Sequence, residues 1–124
     1  MKNILIVDAD LGFVFWLGRV LDMAGQTAFP ARSVSDARAL LAECQLAVDA
    51  LILDPSLAGA SEFVKALRRD RKNVKVVAVS DGSATAASAI DADAACDRPG
   101  DDFGEQTRLE WTRIVRRVLF EVCG

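Results

Sequence analysis

Short apolar stretches alternate with amphipathic stretches along the chain. The apolar stretches are rich in β-branched residues, which is typical of buried strands. The amphipathic stretches repeat apolar residues every three or four positions, which is typical of helices that pack on one face. The pattern predicts five strands, at residues 3–7, 27–31, 49–53, 74–79 and 94–96.

Five helices are predicted in the stretches that follow these strands. The first ends at Gly25, and Ser33 or Ser35 is a plausible N-cap of the second. The predicted helical ranges are 13–24, 35–46, 61–69, 83–90 and 105–122. The last helix has a predicted apolar stripe of Leu109, Ile114, Val115, Val118, Leu119 and Val122.

The alternation of strands and helices predicts an α/β fold with a doubly wound, five-stranded parallel sheet and five helices. Strands this apolar are usually covered on both faces, and the flavodoxin-like strand order 2-1-3-4-5 fits such a sheet. Pro30 cannot donate a hydrogen bond to a neighbouring strand, so the second strand is expected at an edge. Residues 1–124 are expected to form a single domain.

Composition narrows the class of protein. The net charge of −3 argues against direct binding to nucleic acid, and no segment resembles a membrane span or a signal peptide. The chain has no His, and its three Cys lack metal-ligand spacing, so neither a zinc site nor a disulfide framework is expected. A reducing cytoplasm fits best, with Cys96 as an inert core residue.

Polar residues follow four of the predicted strands. Asp8 and Asp10 follow the first strand, Asp54 the third, Ser80 the fourth and Arg98 the fifth. The carboxyl ends of parallel strands share one sheet edge, so these side chains are expected to converge where such sheets bind ligands. Carboxylates can hold Mg²⁺ or become an aspartyl phosphate, and a hydroxyl and a cation can neutralise phosphoryl oxygens. The alternative is that these residues only cap helices and shape turns.

In these segments the sequence resembles the receiver domain of bacterial two-component response regulators. The resemblance rests on Ile-Leu-Ile-Val-Asp-Ala-Asp at 4–10, Leu-Ile-Leu-Asp at 51–54, Val-Val-Ala-Val-Ser at 76–80 and Asp-Arg-Pro at 97–99. It covers almost the whole chain. No single segment is specific, but together, in this order and at these separations, they are a strong signal.

The resemblance implies a role for each matched residue. Asp54 matches the phosphoacceptor, and Asp8 matches the first residue of the acidic pair that holds Mg²⁺. Ser80 matches the Ser or Thr that meets the phosphoryl group and relays the switch. Arg98 and Pro99 occupy the place of a Lys-Pro pair whose peptide bond is typically cis.

Several positions depart from the family pattern. Ala9 replaces the second acidic residue, and Asp10, one position further on, need not substitute for it. Arg98 keeps the positive charge in a bulkier, planar group, and Ala95 stands at the position of the aromatic switch residue. Pro55 removes a backbone N–H beside the phosphoacceptor. In the loop after the phosphoacceptor, Ala58 and Glu62 stand where the family usually has Pro and Gly.

These departures predict an atypical receiver. We expect Asp8, Asp10 and Asp54 to bind Mg²⁺ weakly or not at all and Asp54 to be phosphorylated poorly.

The resemblance also implies the partners of a phosphorelay. These are a histidine kinase or phosphotransfer protein, a downstream protein or output domain, and a second copy in a homodimer. The only enzymatic step implied is self-phosphorylation of Asp54. Phe15, Trp16, Trp111 and Phe120 are either partly buried or form a partner surface.

Two other functions remain open at this point. Asp8 and Asp10 resemble the DxD motif of haloacid-dehalogenase-like phosphatases, with Ser80 echoing their second motif. The chain is short for that family, however, and Asp54 would then have no role. The other alternative is a purely structural interaction domain with a vestigial acidic pocket.

Overall fold

The secondary structure follows the predicted alternation of strands and helices. The computed structural model describes residues 2–44, 47–71, 73–80, 92–97 and 104–117. The strands are β1 (Asn3–Val7), β2 (Thr27–Ala31), β3 (Ala50–Leu53), β4 (Lys75–Ser80) and β5 (Ala94–Asp97). The helices are α1 (Leu11–Met23), α2 (Val34–Cys44), α3 (Ala60–Asp70) and α4 (Glu105–Arg116).

The five strands form one parallel sheet in the order β2-β1-β3-β4-β5, as predicted. Its β2 strand lies at the edge that Pro30 requires. The described residues contain four helices, and the predicted helix at 83–90 lies outside them. In the same part of the chain, no helix is long and apolar enough to span a bilayer.

Local hydrogen bonds set the helix ends that the apolar pattern left imprecise. Helix α1 begins at Leu11 because the Asp10 carboxylate caps it, and the chain leaves the helix through Gly25 at a φ of 84°. Helix α2 begins at Val34, since the Ser33 hydroxyl accepts a hydrogen bond from the amide of Asp36 at 3.1 Å. Ser33, rather than Ser35, is therefore the N-terminal cap.

Helices cover both faces of the sheet. Alternate residues of β1, β3 and β4 pack on one face with α2 and α3, and the intervening residues pack on the other face with α1 and α4. This two-sided burial explains why the central strands are almost entirely apolar. Cys96 is half-buried on the α1 side of the sheet. Burial raises the pKa of its thiol, the negative charge of Asp97 raises it further, and the positive charge of Arg117 lowers it in part. Its thiol therefore stays protonated at neutral pH.

The buried face of α4 differs from the predicted stripe. Leu109 is 42% exposed, so its predicted burial is wrong, whereas Trp111 is 3% exposed and packs edge-on against Phe13 at a centroid distance of 5.5 Å. Thr107, Trp111 and Val115 recur every four residues and define the inner face. Trp111 is thus a core residue and not part of a partner surface. Val118, Leu119, Phe120 and Val122 lie outside the described residues.

Candidate functional site

The carboxyl ends of β1 and β3 bring Asp8 and Asp54 side by side. Val7 of β1 is in register with Leu53 of β3. The ladder continues one residue further, because the Asp54 amide donates to the carbonyl of Val7 at 3.0 Å. Neighbouring strands lie about 4.8 Å apart, so the two aspartates stand next to each other at this edge. The structure therefore brings together two of the residues that the sequence selected.

Asp8 is buried, with 2% of its surface exposed. Its Oδ1 accepts a hydrogen bond from the amide of Asp10 at 2.8 Å. A carboxylate removed from water is costly unless hydrogen bonds or a cation compensate for the lost hydration. The position of Asp8 therefore suits a group that holds a cation at the sheet edge.

Asp10 lies at the beginning of α1 rather than in the sheet. Its Oδ1 accepts a hydrogen bond from the amide of Phe13 at 3.2 Å, which makes it the N-cap of the helix. The backbone carbonyl of Asp10 accepts the amide of Val14 at 3.0 Å. A capping role thus accounts for the position of this carboxylate.

Asp54 is half-buried and is held by the loop that follows it. Its Oδ1 accepts two hydrogen bonds from Ser56, one from the amide at 2.9 Å and one from the hydroxyl at 2.7 Å. Pro55 has no N–H, so the Ser56 amide is the first one that can reach back. The sequence interpretation did not select Ser56. The Asp-Pro-Ser segment is nevertheless a turn signal in which such contacts are common.

Ser80 ends β4, the strand beside β3. Leu53 is in register with Ala78, so Ser80 extends one residue further along the sheet than Asp54. Ser80 is half-buried and is in register with Asp97 of β5. Ala95 is exposed, and Arg98 and Pro99 lie outside the described residues. Ser80 is therefore one strand away from Asp54 and reaches the same edge.

Aspartates at the amino ends of the strands, opposite Asp8 and Asp54, have a structural role. Asp49 accepts the amide of Asn3 at 2.8 Å, and Asp93 accepts the amide of Val76 at 2.8 Å and the Arg68 guanidinium at 3.3 Å. These carboxylates tie loops to strands. The capping and turn interpretation of loop aspartates thus applies to them and to Asp10.

The acidic residues can offer a metal ion only part of a site. In the described segments, no three His, Cys, Asp or Glu side chains are grouped so that they could hold a metal ion. Mg²⁺ needs fewer protein ligands, since one or two carboxylates with water and phosphate oxygens are enough. Asp8 and Asp54 supply two carboxylates, and Ala9 adds none. These residues therefore fit Mg²⁺ only if water and phosphate oxygens supply most of its ligands.

A partly apolar surface lies beside this edge, between α1, β2 and α2. Phe15 is 61% exposed and, with Leu11, Pro30 and Leu40, lines a cavity of about 500 Å³. Trp16 is half-buried and packs against the core at 6.3 Å from the ring of Phe13. The interpretation of partial burial is therefore correct for Trp16, whereas Phe15 faces solvent.

Comparisons with solved structures identify the fold. A CheY-like receiver domain protein from Methanospirillum hungatei JF-1 superimposes with a TM-score of 0.79 and 19% identity, over 98% of this chain and 95% of that one. Chemotaxis response regulator CheY4 of Vibrio cholerae gives 0.75 and 23%, over 96% and 99%. Response regulator TrrA of Thermotoga maritima, solved with Mg²⁺-BeF, gives 0.69 and 23%, over 96% and 100%.

These likenesses establish the fold of a response regulator receiver domain, as the sequence resemblance predicted. No family model matches the sequence, and the comparison with curated proteins gives no match.

Proposed function

We propose that this chain is a receiver module of phosphorelay signal transduction and that Asp54 is its phosphoacceptor. The observation that carries the proposal is the pairing of a half-buried Asp54 with a buried Asp8 at the carboxyl ends of two adjacent central strands. The receiver fold supports it, because this edge is where doubly wound sheets bind ligands.

In the proposed step, a carboxylate oxygen of Asp54 attacks the phosphorus of a phosphohistidine or a small acyl phosphate. The new O–P bond forms as the bond between phosphorus and the donor breaks, and the donor leaves with the electron pair. The Ser80 hydroxyl, at the end of the adjacent strand, donates to a phosphoryl oxygen, and Arg98 supplies positive charge.

Asp8 and Asp54 would hold Mg²⁺, which neutralises charge on the phosphoryl oxygens. The TrrA structure contains Mg²⁺-BeF, so such an ion is compatible with the fold. Here Ala9 adds no ligand, and Asp10 caps α1. We therefore propose a weak Mg²⁺ site and slow phosphorylation of Asp54. The phosphatase alternative needs Asp10 as its second catalytic carboxylate, a role that competes with its position as the helix cap.

The partners proposed are those of a phosphorelay. In the cytoplasm, a histidine kinase or phosphotransfer protein would supply the phosphoryl group, and a downstream protein or output domain would read the phosphorylated state. The module itself does no chemistry beyond its own phosphorylation.

Titration with beryllofluoride, which mimics a phosphoryl group, tests the phosphoacceptor. Tryptophan fluorescence should report saturable, Mg²⁺-dependent binding that Asp54→Asn abolishes, because the amide is a poor nucleophile and carries no charge. Asp22→Asn is the matched control, since it makes the same chemical change on the exposed side of α1. Binding that persists in Asp54→Asn, or that no form of the protein shows, would contradict the proposal. Tight binding at low Mg²⁺ would contradict only the weak metal site.

A further inference from the structure

The side of the molecule formed by α1, β2 and α2 carries an apolar surface outside the proposed phosphoacceptor site. The two helices pack on opposite faces of the sheet and flank its edge strand. The exposed ring of Phe15 lines a cavity of about 500 Å³ that reaches α2 and another of about 380 Å³ that follows α1. We call this surface the β2 flank and define it by Phe15, Arg19, Pro30, Ala39, Leu40 and Glu43.

The two helices of the β2 flank are matched in height. Val7 of β1 is in register with Ala31 of β2, and these are the last residues of their strands. Phe15 comes eight residues after Val7, and Ala39 comes eight residues after Ala31. Both helices begin after short loops and rise by about 1.5 Å per residue, so Phe15 and Ala39 lie at about the same level along the sheet.

Exposed charges on the two helices are matched in the same way. Arg19 of α1 and Glu43 of α2 both come twelve residues after the last residue of the preceding strand. Arg19 lies four residues beyond Phe15, and Glu43 lies four residues beyond Ala39, so each charge is one turn further along the same helix face. Because the sheet stands between the two helices, this match of opposite charges is available to a second copy.

We propose that the β2 flank is a two-fold interface between two copies of this chain. A two-fold axis parallel to β2 keeps the strand direction and exchanges the faces of the sheet, so α1 of each copy lies against α2 of the other. Phe15 then packs on Ala39 and Leu40 of the second copy, and Arg19 pairs with Glu43 of the second copy. The contact is between helices, so it needs no hydrogen bonds between the two β2 strands.

The charges of the β2 flank favour a second copy over a partner of one charge sign. Besides Arg19 and Glu43, its two cavities are lined by Asp22 and by Arg32 and Asp36, which lie 3.6 Å apart. Positive and negative groups are thus nearly balanced. A two-fold contact forms each apolar contact and each ion pair twice, which suits a surface of mixed charge. This interface does not depend on phosphorylation, so it extends beyond the proposed function.

Sedimentation equilibrium of the full chain measures the dissociation constant of the dimer. Phe15→Asp should raise it by about tenfold or more, because a two-fold interface contains the changed aromatic side chain twice. Met23→Asp is the matched control, since Met23 is on the same helix, is 69% exposed and lines neither cavity. This control should leave the dissociation constant within about twofold of the wild type.

Charge reversal tests which helices face each other. Arg19→Glu and Glu43→Arg each place like charges opposite one another at two sites, so each should weaken the dimer by about tenfold. The double variant, which exchanges the two signs, should return the dissociation constant to within about threefold of the wild type. Such recovery requires that residue 19 of one copy faces residue 43 of the other.

Each outcome decides for or against the interface. A wild-type chain that stays monomeric at about 1 mM would overturn it and leave the β2 flank to a different protein. A dimer that Phe15→Asp does not weaken lies on another surface and also overturns it. Charge reversals that have no effect, or that do not recover in the double variant, overturn the arrangement of α1 against α2. Weakening by Phe15→Asp but not by Met23→Asp, with recovery of the double variant, supports the interface.

Discussion

Ala9 is the residue that we propose limits metal binding in this acidic pocket. It is exposed between Asp8, whose buried carboxylate accepts the Asp10 amide, and Asp10, whose carboxylate caps α1. Each aspartate thus has a local hydrogen bond of its own. The methyl side chain of Ala9 has no atom that could coordinate a cation. The residue at position 9 therefore determines whether a further carboxylate is available at the carboxyl ends of the strands.

Adding a carboxylate at position 9 should strengthen the proposed Mg²⁺ site. We expect Ala9→Asp to raise the Mg²⁺ affinity by about tenfold or more, because a third carboxylate adds charge and a ligand. Calorimetric titration with MgCl₂ measures the effect. Ala39→Asp, which adds the same charge on the exposed side of α2, should leave the affinity near that of the wild type. Equal Mg²⁺ affinity in the two variants would show that Ala9 does not limit binding.

At the scale of the element, α4 depends on a single large side chain. Trp111 is buried against Phe13 of α1, whereas Leu109, two residues earlier, points outward. The helix is otherwise rich in charge and offers few apolar residues to the core. The contact between Trp111 and Phe13 therefore determines which face of α4 turns inward.

The two side chains should differ sharply in their effect on stability. We expect Trp111→Ala to lower the free energy of unfolding by about 3–5 kcal/mol, because it removes a buried aromatic group and leaves a cavity. Leu109→Ala, on the same helix, should change it by no more than about 0.5 kcal/mol. Urea unfolding followed by far-ultraviolet circular dichroism measures both without relying on tryptophan emission. Similar losses in the two variants would contradict the observed orientation of α4.

The elements also show where the sequence was a sufficient guide. Strands β1 and β2 begin and end where predicted. The β-branched run of β1 is typical of a strand, whereas β2 was the weaker prediction because it contains Pro30. The buried face of α4 was not predictable, because its few apolar residues are compatible with two different inward faces. The contact of Trp111 with Phe13, on another helix, determines which of the two is buried. Ser56 was missed because hydropathy does not register a hydrogen bond made inside a loop.

At the scale of the whole molecule, protection from solvent should decrease from the middle of the sheet to its edges. Strands β1, β3 and β4 have neighbours on both sides and helices on both faces. Amides of Leu5, Leu51 and Val77 should therefore exchange with deuterium at least about tenfold more slowly than those of β2 and β5. Hydrogen exchange followed by NMR measures these rates. Uniform protection across all five strands would contradict this expectation.

The whole-molecule architecture was predictable, but the site only in part. Alternating elements and Pro30 were enough to predict the sheet and its edge, because both follow from backbone chemistry. The predicted parallel sheet also places Asp8 and Asp54 together at the carboxyl ends of neighbouring strands, as observed. The orientation of Asp10 was not predictable, since an Asp before a helix can cap it or face a ligand with the same sequence pattern.

Pro30 also affects how the open edge of the sheet can interact with other chains. The open edge of a sheet is a template on which another chain can add a strand, and long regular edges promote aggregation. Strand β2 is only five residues long, and its exposed proline removes one of the donors that an added strand would need. We therefore expect the residue that places β2 at the edge of the sheet also to disfavour the addition of a strand from another molecule.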